Sequence, residues 1–161
     1  MANELRFLDG NLLFDGGNLA MSEDCCCDEV PVSYCSACDE NLPDEASVTI
    51  SGFVSTGGAN VADCPCYNLG TITVTKTGGC DWRYEVDSTC TGGTQIRVSM
   101  GLTSLGGGAK RLGVRIEEIP TGSFSVWYYN IGSGVSCMGT FTLAPDPFSP
   151  NCTTGSVSVT I

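Results

Sequence analysis

The stretch from Thr71 to Cys90, TITVTKTGGCDWRYEVDSTC, decides the fold. Ile72 and Val74 alternate with threonines, Thr77-Gly78-Gly79 offers a turn, and Trp82, Tyr84 and Val86 alternate with Arg83, Glu85 and Asp87. Period-two alternation around a Gly-rich break predicts a β-hairpin with one dry face. Cys64 and Cys66 precede it, Cys80 sits at its turn and Cys90 closes its second strand, so the hairpin is pinned by sulfur. Outward from this hub the same alternation returns. It marks Ser47–Val54, Gln95–Met100, Leu112–Ile116, Ser123–Asn130, Thr140–Leu143 and Ser156–Ile161 as strands. Ser123–Asn130 is apolar on both faces, with Phe124, Val126 and Tyr128 opposite Trp127 and Tyr129, so it is central or covered by a partner. About eight strands at short spacing predict an all-β chain. A β-sandwich or jelly roll is the first expectation and a partly closed barrel the alternative.

With 161 residues the chain is long enough for one domain with a real core. Three regions are expected: an N-terminal β-arm over 1–24, a cysteine-rich linker over 25–41, and the β-domain over 42–161. Within the arm, Phe7-Leu8-Asp9-Gly10-Asn11-Leu12-Leu13 aligns with Phe14-Asp15-Gly16-Gly17-Asn18-Leu19-Ala20 at a period of seven. Asp-Gly and Gly-Asn pairs favour tight turns between short strands. Two copies are too few for a solenoid. The arm therefore packs on its own domain or reaches a neighbouring subunit, with Phe7, Leu12, Phe14 and Leu19 as its apolar contacts. Acidic residues at the N-terminus stand where a secretory signal has a basic head, so either a signal has been removed or the chain is not exported by that route.

Charge is unevenly placed. Residues 1–63 hold twelve acids against Arg6, and the remainder holds six of each sign, so the whole net charge of −11 lies in the first part. Such a surface repels nucleic acid, and no run of about 18 apolar residues marks a membrane span. The acids lack the spacing of a calcium loop and read as a solvated face. Leu102–Arg111 is Gly-rich but lacks the Gly-Lys-Ser/Thr order of a phosphate loop, so a hairpin turn is expected there.

Eleven cysteines are the strongest chemical signal. In one explanation they are disulfides formed in oxidising surroundings, with Cys80–Cys90 across the hairpin and Cys137–Cys152 across the Pro-rich loop as the preferred pairs. Cys35, Cys38, Cys64 and Cys66 are further disulfide candidates. In the other, Cys35-x2-Cys38 and Cys64-x-Cys66 give four thiolates to a zinc ion, although the C-x-C half is atypical of zinc knuckles. Disulfides are preferred, and no other cofactor is implied. The odd total leaves at least one thiol over; Cys25-Cys26-Cys27 are the best candidates for linkage to another chain, and internal staples are the preferred reading of them.

Catalysis is not expected. With no histidine, the usual general base and the Ser-His and Cys-His dyads are missing. Glu117 and Glu118 are adjacent on a strand and point to opposite faces. Cys35-x-x-Cys38 lacks a strand-to-helix setting for redox work. Trp82, Tyr84, Trp127, Tyr128 and Tyr129 are candidates to stack on a glycan, or else they fill the core. Asn151-Cys152-Thr153 matches the glycosylation pattern only formally.

The opening L-x-F-x-D-G-x-L-x-F-x-x-G-x-L-A over Leu5–Ala20, then Cys25-Cys26-Cys27, Cys35-x-x-Cys38, Gly52-Phe53, Cys64-x-Cys66 and Cys80-x-Trp82, resembles small cysteine-rich proteins encoded among structural genes of tailed bacteriophages and prophages. The resemblance implies an accessory protein of the virion and no catalytic residue. The expectation is a non-enzymatic structural protein that assembles with copies of itself, and with other virion proteins, at the surface of an extracellular particle, tail or filament. The alternatives are a carbohydrate-binding or adhesion module and a zinc-stabilised interaction domain. The arm and the terminal strand Ser156–Ile161 are the expected assembly edges.

Overall fold

A computed structural model describes residues 4–8, 11–15, 35, 37–38, 41–54, 64–90, 92–148, 152 and 154–161. The chain divides into two compact units, Met1–Val32 and Ser33–Ile161. In the first, β1 (Glu4–Leu8) and β2 (Asn11–Asp15) form an antiparallel hairpin in which Leu8 pairs with Asn11 and Glu4 with Asp15. The side chains of Phe7, Leu12 and Phe14, and all of Leu19 and Cys25–Cys27, lie outside the described residues.

The second unit is built from β3 (Glu45–Ser51), β4 (Gly70–Gly78), β5 (Asp81–Asp87), β6 (Gln95–Gly106), β7 (Ala109–Ile119), β8 (Phe124–Ile131), β9 (Thr140–Pro145) and β10 (Ser156–Thr160). One 3₁₀ turn, Cys64–Tyr67, precedes β4. All neighbours are antiparallel, and the sheet closes on itself in the order β10-β3-β4-β5-β6-β7-β8-β9. The all-β, disulfide-linked character follows the expectation, but the sandwich or jelly roll does not: the strands make one closed barrel. Alternation specifies an inner and an outer face in either architecture. What separates them is the partner of each terminal strand, a long-range choice that no local pattern encodes. Here β10 lies between β3 and β9, and β8 meets β9 through Trp127↔Pro145 and Tyr128↔Ala144. Ser156–Thr160 is therefore paired on both sides and is not a free edge, contrary to the expectation from sequence.

Eight strands leave an interior just wide enough for side chains to fill. Ala46, Val48 and Ile50 of β3, Val74 of β4, Trp82 of β5, Ile96, Val98, Met100 and Leu102 of β6, and Leu112, Val114 and Ile116 of β7 point inward and are buried. Phe53 packs edge-on against Tyr67 and Trp127, with ring centroids 6.3 and 5.5 Å away. On β8 the inner face is Ser125, Trp127 and Ile131, while Phe124, Val126 and Tyr128 face out and are half-buried. The strand that reads as apolar on both faces is central, between β7 and β9.

Antiparallel order sorts the connections into two mouths. The segment entering β3 and the β4–β5, β6–β7 and β8–β9 connections share one mouth; the β3–β4, β5–β6, β7–β8 and β9–β10 connections share the other.

Candidate functional site

Four disulfides frame the barrel: Cys35–Cys80, Cys38–Cys137, Cys64–Cys152 and Cys66–Cys90, with Cα–Cα distances of 4.6, 6.3, 5.5 and 5.2 Å. The first two lie at the mouth where the chain enters β3, and the other two at the opposite mouth. All eight cysteines are among the sequence candidates, but neither preferred pairing forms. Cys80 precedes β5 and Cys90 follows it, so a seven-residue strand holds them at opposite mouths, about 24 Å apart at roughly 3.4 Å per residue. Cys137 and Cys152 flank β9 in the same way. The zinc alternative is corrected too. Cys35, Cys38, Cys64 and Cys66 are each bonded to a different sulfur. Among the described residues no group of three or more His, Cys, Asp or Glu side chains is placed to hold a metal. Four disulfides are the mark of an oxidising environment.

The aromatic candidates separate. Trp82 and Trp127 are core residues, 1% and 2% exposed, and their indole N–H groups donate to the Pro43 carbonyl at 3.1 Å and to Ser125 Oγ at 2.9 Å. Tyr84 packs half-buried against the core. Tyr129 is exposed and tilts against Phe141, with centroids 5.4 Å apart. Tyr128, half-buried on the outer face, pairs with Gly113, a residue lining a depression in the outer wall.

That depression lies over β5, β6 and β7. The register places Asp81, Gly101, Gly113 and Tyr128 in one row across the sheet. The row on one side is Arg83, Ser99, Arg115 and Val126; on the other side Thr103, Arg111 and Asn130 follow one another. Two adjacent glycines thus remove the side chains from the middle row, leaving a groove of about 300 Å³ walled by Ser99 and Arg115 on one side and Thr103 and Arg111 on the other. Asp81 closes one end. The walls are held in place from outside the groove. Arg111 lies over the Tyr128 ring, 4.6 Å from its centroid, and donates from Nε to Asn130 Oδ1 at 3.0 Å. Arg115 lies 4.2 Å over the Phe124 ring and donates to Glu117 Oε1 at 2.8 Å. These guanidinium–ring contacts also cover the outward aromatics of β8. Sequence reading weighed this turn region for phosphate and missed the groove, because its facing residues are eight or more positions apart along the chain.

A second polar site closes the far mouth from within. Glu118 continues the inward face of β7 beyond Ile116, is 4% exposed, and its Oε1 has no hydrogen-bond partner. A Cβ at Gly93 would collide with this carboxylate, so glycine is required there. Tyr67, whose hydroxyl donates to the Ser123 carbonyl at 3.3 Å, has its phenol pushed up to about 12 by burial and by the charges of Glu118 and Glu117. As expected from alternation, Glu117 faces out while Glu118 faces in, so the two carboxylates do not converge. No protein-family model matches the chain, and no curated protein or solved structure matches it.

Proposed function

We propose that the chain is a non-enzymatic structural protein that assembles with copies of itself into an extracellular particle, tail or filament, of the kind found among virion accessory proteins. The observation that carries this reading is the separate N-terminal unit, whose paired strands are five residues each. An isolated two-stranded hairpin is at best marginally stable in water and needs a further apolar surface to persist. A neighbouring subunit supplies that surface, and the arm is the connector. Charge favours the same arrangement: residues 1–63 carry −11, whereas six of the seven basic residues lie on the barrel strands β4–β7. The disulfide framework suits a particle that must survive outside a cell.

Light scattering and electron microscopy of the full chain and of a chain lacking residues 1–24 test this. The full chain is expected to form particles or filaments and the truncated chain to be monomeric with an unchanged barrel melting temperature. Assembly that persists without the arm overturns the proposal.

A further inference from the structure

Glycine inside a strand weakens it and commonly marks a place where a ligand or another backbone approaches closely. Gly101 and Gly113 pair directly across β6 and β7. Neither has a positive φ, so the backbone does not demand glycine. Packing does not demand it either. A Cβ on Gly113 would meet nothing nearer than the Trp127 carbonyl oxygen at 4.0 Å, and one on Gly101 would displace only the end of the Asp81 side chain. What the two glycines provide is the outward groove itself, with a volume at the small end of the range for small-molecule sites.

The chemistry of the walls selects the ligand. Floor amides are committed to the β6–β7 and β7–β8 ladders, so there is no cluster of free N–H groups of the sort that cradles phosphate. Recognition falls to side chains. Among the described residues the Arg111 guanidinium has no carboxylate partner, and its Nη groups are unspent after the Nε bond to Asn130. Arg115 stands on the other wall but is spent on Glu117 and the Phe124 ring, and Arg83, on the row of Ser99, has no ion-pair partner among the described residues. Asp81 is an acceptor at the groove's end, and Ser99 and Thr103 offer hydroxyls. Guanidinium forks take a carboxylate in bidentate fashion, whereas Asp81 repels a bare anion and accepts from hydroxyl groups. The glycine floor and Val126 supply the apolar bed that a sugar ring face needs.

We propose that this groove binds an acidic saccharide, a pyranose lying on Gly113 and Val126 with its carboxylate on Arg111 and its hydroxyls on Asp81, Ser99 and Thr103. The inference is independent of assembly through the arm. Because the chain carries −11 overall, attraction for the ligand is local to the groove and favours short oligomers over long polyanions.

Titration of the full chain with a galacturonate trisaccharide and with a neutral galactose trisaccharide, followed by calorimetry and amide NMR, tests it. The acidic sugar is expected to bind saturably, to shift the Gly101 and Gly113 resonances and to weaken in high salt. Gly113→Val, which grows a side chain into the groove and away from the core, is expected to lower affinity at least about tenfold with the melting temperature retained; Arg111→Gln is expected to lower it by about tenfold, the loss of one charge-assisted hydrogen bond. Absence of saturable binding, equal binding of the neutral sugar, or unchanged affinity in Gly113→Val overturns the proposal. Light scattering on the same samples separates it from the assembly reading: a Gly113→Val chain that loses its multimers makes the groove a contact between copies and overturns it as well.

Discussion

Ser125→Ala tests the joint between core, seam and disulfide frame. Ser125 is fully buried on β8; its Oγ accepts from Trp127 Nε1 at 2.9 Å and donates to the Cys152 carbonyl at 2.9 Å. Cys152 is the one described non-glycine residue with positive φ, at 47°, and its sulfur is bonded to Cys64. The hydroxyl therefore holds a strained backbone in the conformation that directs the disulfide. Alanine leaves an indole N–H and a carbonyl without partners in a dry site. At about 1–3 kcal/mol for each orphaned group, the cost is about 2–4 kcal/mol after partial relaxation. For a unit of this size that is a drop of about 8–15 °C in melting temperature. Urea unfolding of the oxidised protein reads the change, provided the slope is unchanged. A cycle with Trp127→Phe isolates the shared hydrogen bond, with a coupling of about 0.5 kcal/mol or more expected for residues in one network. A loss below about 0.5 kcal/mol in Ser125→Ala refutes the reasoning.

Other expectations concern the far mouth and the sulfur frame. Glu118→Met removes a buried carboxylate oxygen that lacks a partner and is expected to raise stability by about 1–3 kcal/mol in urea unfolding; a loss counts against the orphan. The same variant lowers the Tyr67 pKa from about 12, since Glu118 is one of the charges raising it, and ultraviolet titration reads this directly. The folded-state value is above the ordinary 10.0, so the folded state retains the proton longer than the unfolded one. The Tyr67 contribution is fully present below pH 10 and is lost as pH rises towards 12, and unfolding midpoints should fall across that window. Peptide mapping without reduction should recover Cys35–Cys80, Cys38–Cys137, Cys64–Cys152 and Cys66–Cys90. Recovery of Cys80–Cys90 or Cys137–Cys152 instead contradicts the barrel's strand order. Carried as the sole bridge, Cys38–Cys137, which closes the longest loop at a separation of 99, should stabilise more than Cys66–Cys90 at 24, by about 1 kcal/mol in chain-entropy terms.

The strands were readable because their faces are chemically unlike. Ile96, Val98 and Met100 against Arg97 and Ser99 specify β6 as surely as Trp82 against Arg83 specifies β5. Barrel closure was not readable, since it depends on β10 inserting between β3 and β9, more than a hundred residues apart along the chain from β3. The sulfur pairing followed from closure. Nearness in sequence suggested Cys80–Cys90, yet the intervening strand separates them by its whole length. Of the candidate aromatics, Trp82 and Trp127 filled the core as alternation allows, and Tyr128 pairs with Gly113 of the groove floor. The groove's defining pair, Gly101 and Gly113, looks in sequence like two isolated breaks; their meaning appears only when register sets them side by side.

The placement of the bridges governs how the barrel bears load. A pull transmitted from Cys35 towards Cys152 does not run through the 116 residues between them. It crosses to Cys80, follows ten residues to Cys90, crosses to Cys66, follows two to Cys64 and crosses to Cys152, twelve residues in all. Stretched fully, that route spans about 55 Å with its three sulfur crossings, against about 400 Å for the unbridged chain, at roughly 3.4 Å per residue. A second short route, three residues to Cys38, across to Cys137 and fifteen to Cys152, runs through β9, so β3, β4 and β6–β8 are bypassed and the strands placed in the line of force are β5 and β9.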